Sequence, residues 1–132
     1  MTRVQNRIRM EEKLGYSPLF VFLKETGEFI GSCGLRPVTE DSPDVEIAYH
    51  IMPTAWGRGY ATEAAKATLE FGFNSLGLEA ILGYVMTGNI ASCKVLEKSG
   101  MTYVGLARYP GVDFDVRKYI AKRETWSIAP KT

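Results

Sequence analysis

The sequence predicts an α+β fold in which helices flank a mixed, mostly antiparallel β-sheet. Two observations carry this prediction. Runs rich in β-branched and aromatic residues alternate with two segments of helical periodicity, in the order β-β-β-α-β-α-β-β. A length of 132 residues leaves room for one domain with a substantial core, so we expect residues 1–132 to form a single domain.

The first half of the chain is predicted to contain one helix and three strands. Residues 2–14 carry apolar side chains at helical spacing and predict a surface helix. Residues 19–23 and 29–35 predict two strands joined by a turn. A third strand, rich in residues that favour extended backbone, is predicted at Val45–Ile51, and Pro53 closes it.

The second half alternates helices and strands. A helix is predicted at residues 60–76, because apolar residues recur on one face, namely Ala61, Ala65, Leu69, Phe73 and Leu76. A strand is predicted at Ala80–Met86, and a short helix at 89–99 follows it.

The boundaries of that short helix are marked by the residues around it. Asn89 is a typical N-cap, and Gly100 is typical of the position after a helix end. Two closing strands are predicted beyond it, at Thr102–Arg108 and at 114–128, the second of them bent or shorter.

Composition excludes several classes of function. A net charge of +1 leaves no surplus of basic residues for general nucleic-acid binding. No apolar run approaches the ~20 residues that a membrane span requires, and the N-terminus lacks the apolar region of a secretory signal. Cys33 and Cys93 are far apart and lack metal-ligand spacing. We therefore expect a cytoplasmic, metal-free protein.

The sequence WGRGYATEA at residues 56–64 joins the third strand to the long helix. Gly57 and Gly59 carry no side chain, so a ligand can approach the backbone closely. Free N–H groups at the helix start favour an anion such as a pyrophosphate, and Arg58 could add a contact. A glycine pair before a helix is also a common structural turn, and the stretch matches neither the dinucleotide-binding fingerprint nor the P-loop. Alone, it leaves both interpretations open.

A second signature, NIASCKVLEKSGM at residues 89–101, follows the first after one predicted helix and one strand. The two signatures in this order resemble the GCN5-related N-acetyltransferase (GNAT) family, in the branch of ribosomal-protein N-terminal (RimJ/RimL-like) acetyltransferases. The likeness covers residues 20–128 and includes EIAY at 46–49 and RETW at 123–126. It implies an acyl-CoA N-acyltransferase-like layered fold, with acetyl-CoA as the co-substrate.

The resemblance also implies how CoA is bound. The glycine turn would hold the pyrophosphate, Asn89 would hold the pantetheine arm, and main-chain groups of Ile51 and Met52 would pair with the acetyl carbonyl and the pantetheine. The implied cofactor-binding residues are Ile51, Met52, Trp56, Gly57, Arg58, Gly59, Tyr60, Ala61, Asn89 and Ser92.

Acetyl transfer to an amine requires a general base, for which Glu46 is the candidate. Amines reach an enzyme mostly protonated, so a proton must be removed. Glu46 is an acid on an otherwise apolar strand, and it could face either the site or the solvent, because side chains alternate along a strand. Asp44 and His50 are weaker candidates.

The leaving thiolate needs a hydrogen-bond donor. Members of the family place a Tyr seven residues after the Asn, where this chain has Leu96. Ser92 is the substitute candidate. Its hydroxyl could donate to the sulfur, or could instead satisfy a free N–H at the start of the helix.

We therefore predict an N-acetyltransferase that moves an acetyl group from acetyl-CoA to a primary amine, either a protein N-terminal α-amine or a small-molecule amine. The alternative is a non-catalytic domain that binds acetyl-CoA or a partner. Relatives of this branch carry a further strand and helix at the N-terminus, so the chain resembles a shortened member. Because an uncovered sheet edge is a liability, we expect a homodimer.

Overall fold

The computed structural model describes residues 7–13 and 16–126. Within these residues, seven strands form one sheet and two α-helices pack on it. The strands are β1 (Ile8–Lys13), β2 (Tyr16–Leu23), β3 (Phe29–Pro37), β4 (Val45–Ile51), β5 (Ala80–Met86), β6 (Thr102–Arg108) and β7 (Asp115–Lys122), and the helices are α1 (Tyr60–Asn74) and α2 (Ile90–Lys98).

The sheet consists of two antiparallel parts joined by one short parallel pairing. Its strand order is β1-β2-β3-β4-β5-β7-β6. Strands β1 to β4 pair antiparallel in sequence, and β7 pairs antiparallel with both β5 and β6. Between β4 and β5 the register is parallel at one position, Glu46 with Leu82. The predicted α+β class with a mixed, mostly antiparallel sheet is confirmed.

Helix α1 closes the core over the first part of the sheet. It packs against β3 and β4, and α2 packs against β5, β6 and α1. Ala65, Leu69 and Phe73 are buried as the predicted apolar face requires. Leu76 is exposed because α1 ends at Asn74, two residues before the predicted boundary. None of the helices in the described part of the chain is long and apolar enough to cross a membrane.

The helix predicted at residues 2–14 is wrong where the structure describes it. Residues 8–13 form β1, which pairs with β2, while residues 2–6 and 14 lie outside the described residues. The apolar positions that suggested a helix include Ile8 and Met10, which are two residues apart. That spacing also fits the alternation of side chains along a strand, and pairing with β2 makes this segment a strand.

The last strand is shorter than the predicted 114–128. Strand β7 ends at Lys122, whose carbonyl accepts hydrogen bonds from the N–H groups of Thr125 and Trp126. The chain therefore turns here, so RETW lies after the strand and not in it. The Trp126 indole N–H donates to the Ser99 carbonyl at 2.8 Å, and its ring packs against Phe73.

Candidate active site

Strands β4 and β5 part after their one parallel pairing and leave a cavity of about 210 Å³ between them. Its wall includes the β4 segment after Glu46, part of β5 and the first turns of α2. The side chains that give the cavity its chemistry are Arg36, Glu46, Tyr49, Tyr84, Ser92 and Leu96. The two predicted strands Val45–Ile51 and Ala80–Met86 thus form the walls of one cavity.

Glu46 faces this cavity and is only 3% exposed, so the inward orientation is the one observed. The Tyr109 hydroxyl donates a hydrogen bond to its Oε2 atom. The Arg36 Nε–H donates to the same Oε2 at 3.3 Å. Both bonds end on one carboxylate oxygen, so Oε1 carries neither of them.

Two tyrosines form one side of this carboxylate site. The rings of Tyr84 and Tyr109 meet edge to face, with centroids 5.0 Å apart. Burial raises the pKa of Tyr109, and its hydrogen bond to Glu46 raises it further. Burial also raises the pKa of Tyr84, with a further contribution from the charge of Glu46. Both phenols therefore keep their protons at neutral pH, as a donor to a carboxylate must.

Sequence reasoning missed both partners of Glu46. Arg36 lies directly opposite Glu46 in the β3–β4 register. Aligning the two predicted strands as an antiparallel pair would therefore have identified it. Tyr109 follows β6 and is 63 positions away in sequence. No local pattern marks it.

The start of α2 forms a second wall of the cavity. Asn89 is the predicted N-cap, and its Oδ1 accepts the Ser92 N–H at 3.1 Å. The Ser92 hydroxyl is bonded to the Tyr49 hydroxyl, with 3.0 Å between the oxygens. The Ser92 hydroxyl thus meets another side chain that lines the cavity, and its role toward the sulfur stays a prediction. Leu96, one turn later, is buried on the same wall.

The glycine turn leads directly into α1. Gly57 and Gly59 have φ values of 79° and 82°, in the left-handed region that favours glycine. The Glu63 N–H bonds to the Gly59 carbonyl, which is the first such bond of the helix. The N–H groups of the three preceding residues therefore have no acceptor within the helix and can meet an anion. Tyr60 and Ala61 are two of these three.

Arg7 reaches this turn from the start of β1. Its Nη1 donates to the Arg58 carbonyl at 2.8 Å, and its Nε donates to Glu63 Oε1 at 2.8 Å. The guanidinium also lies over the Tyr60 ring, 4.8 Å from the centroid. The Arg7–Glu63 ion pair is thereby fixed beside the helix N-terminus. No sequence pattern connected Arg7 with this turn, because the two are brought together by the pairing of β1.

The sequence predicts that main-chain groups of Ile51 and Met52 pair with the acetyl carbonyl and the pantetheine. The Met52 N–H donates to the Ile30 carbonyl at 2.8 Å, so this one group is not available to an acetyl group. Pairing with β3 continues one residue past the strand end, which explains the difference. The Ile51 carbonyl accepts the indole N–H of Trp56, whose ring is 64% exposed. Since hydrogen-bond directions alternate along a strand, the Ile51 N–H points away from β3.

The remaining candidates lie outside the cavity wall. Asp44 and His50 are exposed. Cys33 and Cys93 are buried free thiols, and burial raises the pKa of Cys33 to about 12, which keeps it an unreactive thiol at neutral pH. Tyr103 lies under the Arg117 guanidinium, 3.9 Å from the ring centroid.

A sheet that parts beside a glycine turn and a helix N-terminus places this protein in the acyl-CoA N-acyltransferase-like fold. An acetyltransferase of the GNAT family from Bacillus anthracis superposes with a TM-score of 0.73 at 27% identity, covering 85% of this chain and 69% of that chain. Ribosomal-protein-S5-alanine acetyltransferase from Vibrio fischeri gives a TM-score of 0.68 at 21% identity, covering 83% and 64%. At that identity the second likeness shows the fold alone.

The chain belongs to the GNAT acetyltransferase family, because the family model for the acetyltransferase (GNAT) domain matches residues 2–102. Uncharacterized protein YkkB of Bacillus subtilis (strain 168) is 42% identical over 96 residues, which are 72% of this chain and 56% of the relative. FsC-acetyl coenzyme A-N(2)-transacetylase of Aspergillus fumigatus is 34% identical over 113 residues, covering 76% and 48%. The chain spans about half the length of these curated relatives. The family resemblance seen in the sequence is confirmed.

Proposed function

We propose that the protein is an acetyl-CoA-dependent N-acetyltransferase that moves an acetyl group directly to a primary amine. The observation that carries this proposal is the Glu46 carboxylate, buried on the wall of the cavity between the parted strands. Its Oε2 is held by Arg36 and Tyr109, which fixes the group and leaves Oε1 for a substrate. An amine whose pKa is about 8 to 10 must lose a proton before it attacks, and Oε1 can accept that proton.

The glycine turn and the start of α2 are suited to hold CoA. The free N–H groups at the start of α1 form a seat for a pyrophosphate, and the Arg7 guanidinium, paired with Glu63, lies beside it. Asn89 uses Oδ1 for the helix cap, so its amide N–H groups remain for the pantetheine arm. Residues Trp56, Gly57, Arg58, Gly59, Tyr60 and Ala61 complete the proposed seat.

Three residues then each have one role in the transfer of the acetyl group. Glu46 takes a proton from the amine nitrogen as that nitrogen attacks the carbonyl carbon of the thioester. The Ile51 N–H, which points away from β3, donates to the carbonyl oxygen as negative charge develops there. Ser92 donates a hydrogen bond to the sulfur as the carbon–sulfur bond breaks.

The acceptor is proposed to be a protein N-terminal α-amine or a small-molecule amine. One structural neighbour is named for a ribosomal protein, and one relative is named for a coenzyme A-dependent N(2)-acetylation. These names describe those proteins. The principal rival is a non-catalytic domain that binds acetyl-CoA or a partner without turnover.

Thiol release from acetyl-CoA separates the two. The protein is mixed with acetyl-CoA and a panel of peptides with free N-termini, polyamines and amino acids, and free CoA thiol is measured. We expect release with at least one amine, and a loss of about 100-fold or more in Glu46→Gln, since a general base contributes on this scale. Glu46→Gln keeps a side chain that can accept from Tyr109, so CoA affinity by calorimetry should stay near the parent's.

Asp44→Asn is the matched control, because it removes an exposed carboxylate outside the cavity wall. It should keep parental turnover. No release with any amine, despite CoA binding, would favour the rival. Equal turnover in Glu46→Gln and the parent would remove Glu46 as the base.

We further propose a homodimeric, cytoplasmic protein. Strand β6 lies at one edge of the sheet and exposes Val104 and Leu106, a surface that a second copy would cover. Light scattering at micromolar concentration tests this point, and a monomer would contradict it.

A further inference from the structure

The leaving sulfur needs a proton, and three tyrosines at the cavity differ in how their hydroxyls are used. Tyr49 and Tyr84 line the cavity, and Tyr109 contacts it through Glu46. Tyr109 already donates to Glu46, where it holds the proposed base. Tyr84 packs edge to face on Tyr109, on that same side of the cavity. Tyr49 alone among the three is bonded to α2, where its hydroxyl meets Ser92.

The Tyr49–Ser92 pair joins two elements that line the cavity, β4 and α2. Tyr49 lies on β4, three residues after the position where β4 leaves β5. Ser92 lies in the first turn of α2, where Asn89 fixes its N–H. Leu96, one helical turn further on the same wall, supplies no polar group. Tyr49 and Ser92 thus supply the hydroxyl groups where α2 lines the cavity.

We propose that Tyr49 is a positioning residue for release of the thiol, acting through Ser92. With the Tyr49 proton donated to Ser92 Oγ, the hydroxyl proton of Ser92 turns toward the cavity. When the carbon–sulfur bond breaks, its electron pair stays on sulfur, the Ser92 proton passes to sulfur, and the Tyr49 proton passes to Ser92 Oγ. Water then returns a proton to the Tyr49 oxygen, while Glu46 gives the proton of the amine to solvent.

The environment of Tyr49 agrees with this role. Burial raises its pKa, and the hydrogen bond with Ser92 opposes that effect only in part. The phenol therefore carries its proton throughout the neutral range, so the Ser92 oxygen always has a donor behind it. A second, weaker contact joins the Tyr49 hydroxyl to the Ser92 carbonyl at 3.4 Å.

The inference rests on the proposed function and is tested on an amine that the parent acetylates. Tyr49→Phe keeps the ring and removes the hydroxyl. We expect kcat to fall about 100-fold, the lower range of proton-transfer effects, with KM for acetyl-CoA unchanged. Ser92→Ala should match it, and the double variant should be no slower than Ser92→Ala, because both changes break one chain of donors. Tyr103→Phe, outside the cavity, is the control and should keep parental rates.

The outcomes separate the two proposals. A parent that releases no thiol with any amine fails the proposed function and this inference together. An active parent with an equally active Tyr49→Phe overturns this inference alone. Three other results would also overturn it. The first is a double variant in which the two losses multiply, and the second is a KM for acetyl-CoA that rises as kcat falls. The third is a comparable loss of kcat in Tyr84→Phe but not in Tyr49→Phe. Melting temperatures and CoA affinity near the parent's show that each variant is folded.

Discussion

Glu46 and Tyr109 are 63 positions apart in sequence, yet the Tyr109 hydroxyl donates directly to the buried Glu46 carboxylate. Glu46 lies near the start of β4, and Tyr109 follows β6 at the far edge of the sheet order. The bond ties the first antiparallel part of the sheet to the segment that follows β6. The proposed base is thereby oriented by a residue from the part of the sheet that does not contain it.

Removal of the Tyr109 hydroxyl should slow the reaction without changing CoA binding. Tyr109→Phe leaves Arg36 as the one described donor to Glu46, so the carboxylate is held less firmly. A lost hydrogen bond to a charged group is worth about 1.5–3 kcal/mol, so we expect kcat to fall at least about tenfold. Steady-state kinetics with Tyr103→Phe as the control tests this expectation. A parental kcat in Tyr109→Phe would show that the bond does not orient the base.

The glycine turn can be tested with two glycines of matched geometry. Gly57 has φ 79° and Gly77 has φ 68°, and an added Cβ meets no atom within 4 Å at either position. Valine at either site therefore brings similar backbone strain, on the order of 1–3 kcal/mol. Gly57 precedes the N-terminus of α1, whereas Gly77 follows its C-terminal end.

We expect CoA to raise the melting temperature of Gly77→Val as it does that of the parent. Gly57→Val should lose this stabilisation, because the new side chain occupies the space over the free N–H groups. Thermal unfolding with and without CoA measures both. Equal stabilisation of the two variants would contradict the assignment of the pyrophosphate to this turn.

Asn89 combines a structural bond with a proposed ligand bond, and two substitutions separate them. Asn89→Asp keeps an N-cap oxygen and removes the amide donors, while Asn89→Ala removes both. Loss of an N-cap costs about 0.5–2 kcal/mol, so only the Ala variant should be destabilised. Both variants should bind CoA more weakly by calorimetry. If Asn89→Asp binds CoA as the parent does, Asn89 serves the helix alone.

Cys33 should make the free energy of unfolding decrease as the pH rises in the alkaline range. Burial raises the pKa of its thiol to about 12, above its value in the unfolded chain, so the folded state holds the proton more tightly. The stabilisation is complete below about pH 8.5 and is lost as the pH rises toward 12. Urea unfolding between pH 8.5 and 10 should show a decline for the parent that is flatter in Cys33→Ala. Parallel declines would show that Cys33 does not titrate on unfolding.

Local patterns predicted much of the fold. The bounds of β4, β5 and β6 match the predictions, because each strand is a run of residues that favour extended backbone between turn signals. Helix α2 lies between the predicted cap Asn89 and Gly100, whose φ of 99° fits a helix end. Such signals depend on neighbouring residues, so they can be seen in the sequence.

The parts that could not be predicted depend on contacts between distant segments. Residues 8–13 became a strand because β2 offered an edge, and their spacing allowed either structure. Arg7 and Tyr109 joined the site only through the sheet order. The Met52 N–H donates to the Ile30 carbonyl because the pairing of β3 with β4 continues one residue past the end of β4, and no sequence pattern indicates this. The glycine turn and Glu46, in contrast, were visible as isolated features of the sequence.

A crystal structure with bound CoA tests the central claim most directly. We expect the pyrophosphate on the N–H groups that begin α1, the pantetheine between β4 and β5, and the sulfur within hydrogen-bonding reach of Ser92 on the cavity that Glu46 faces. Density for CoA at another surface, with the space between β4 and β5 empty, would contradict the account.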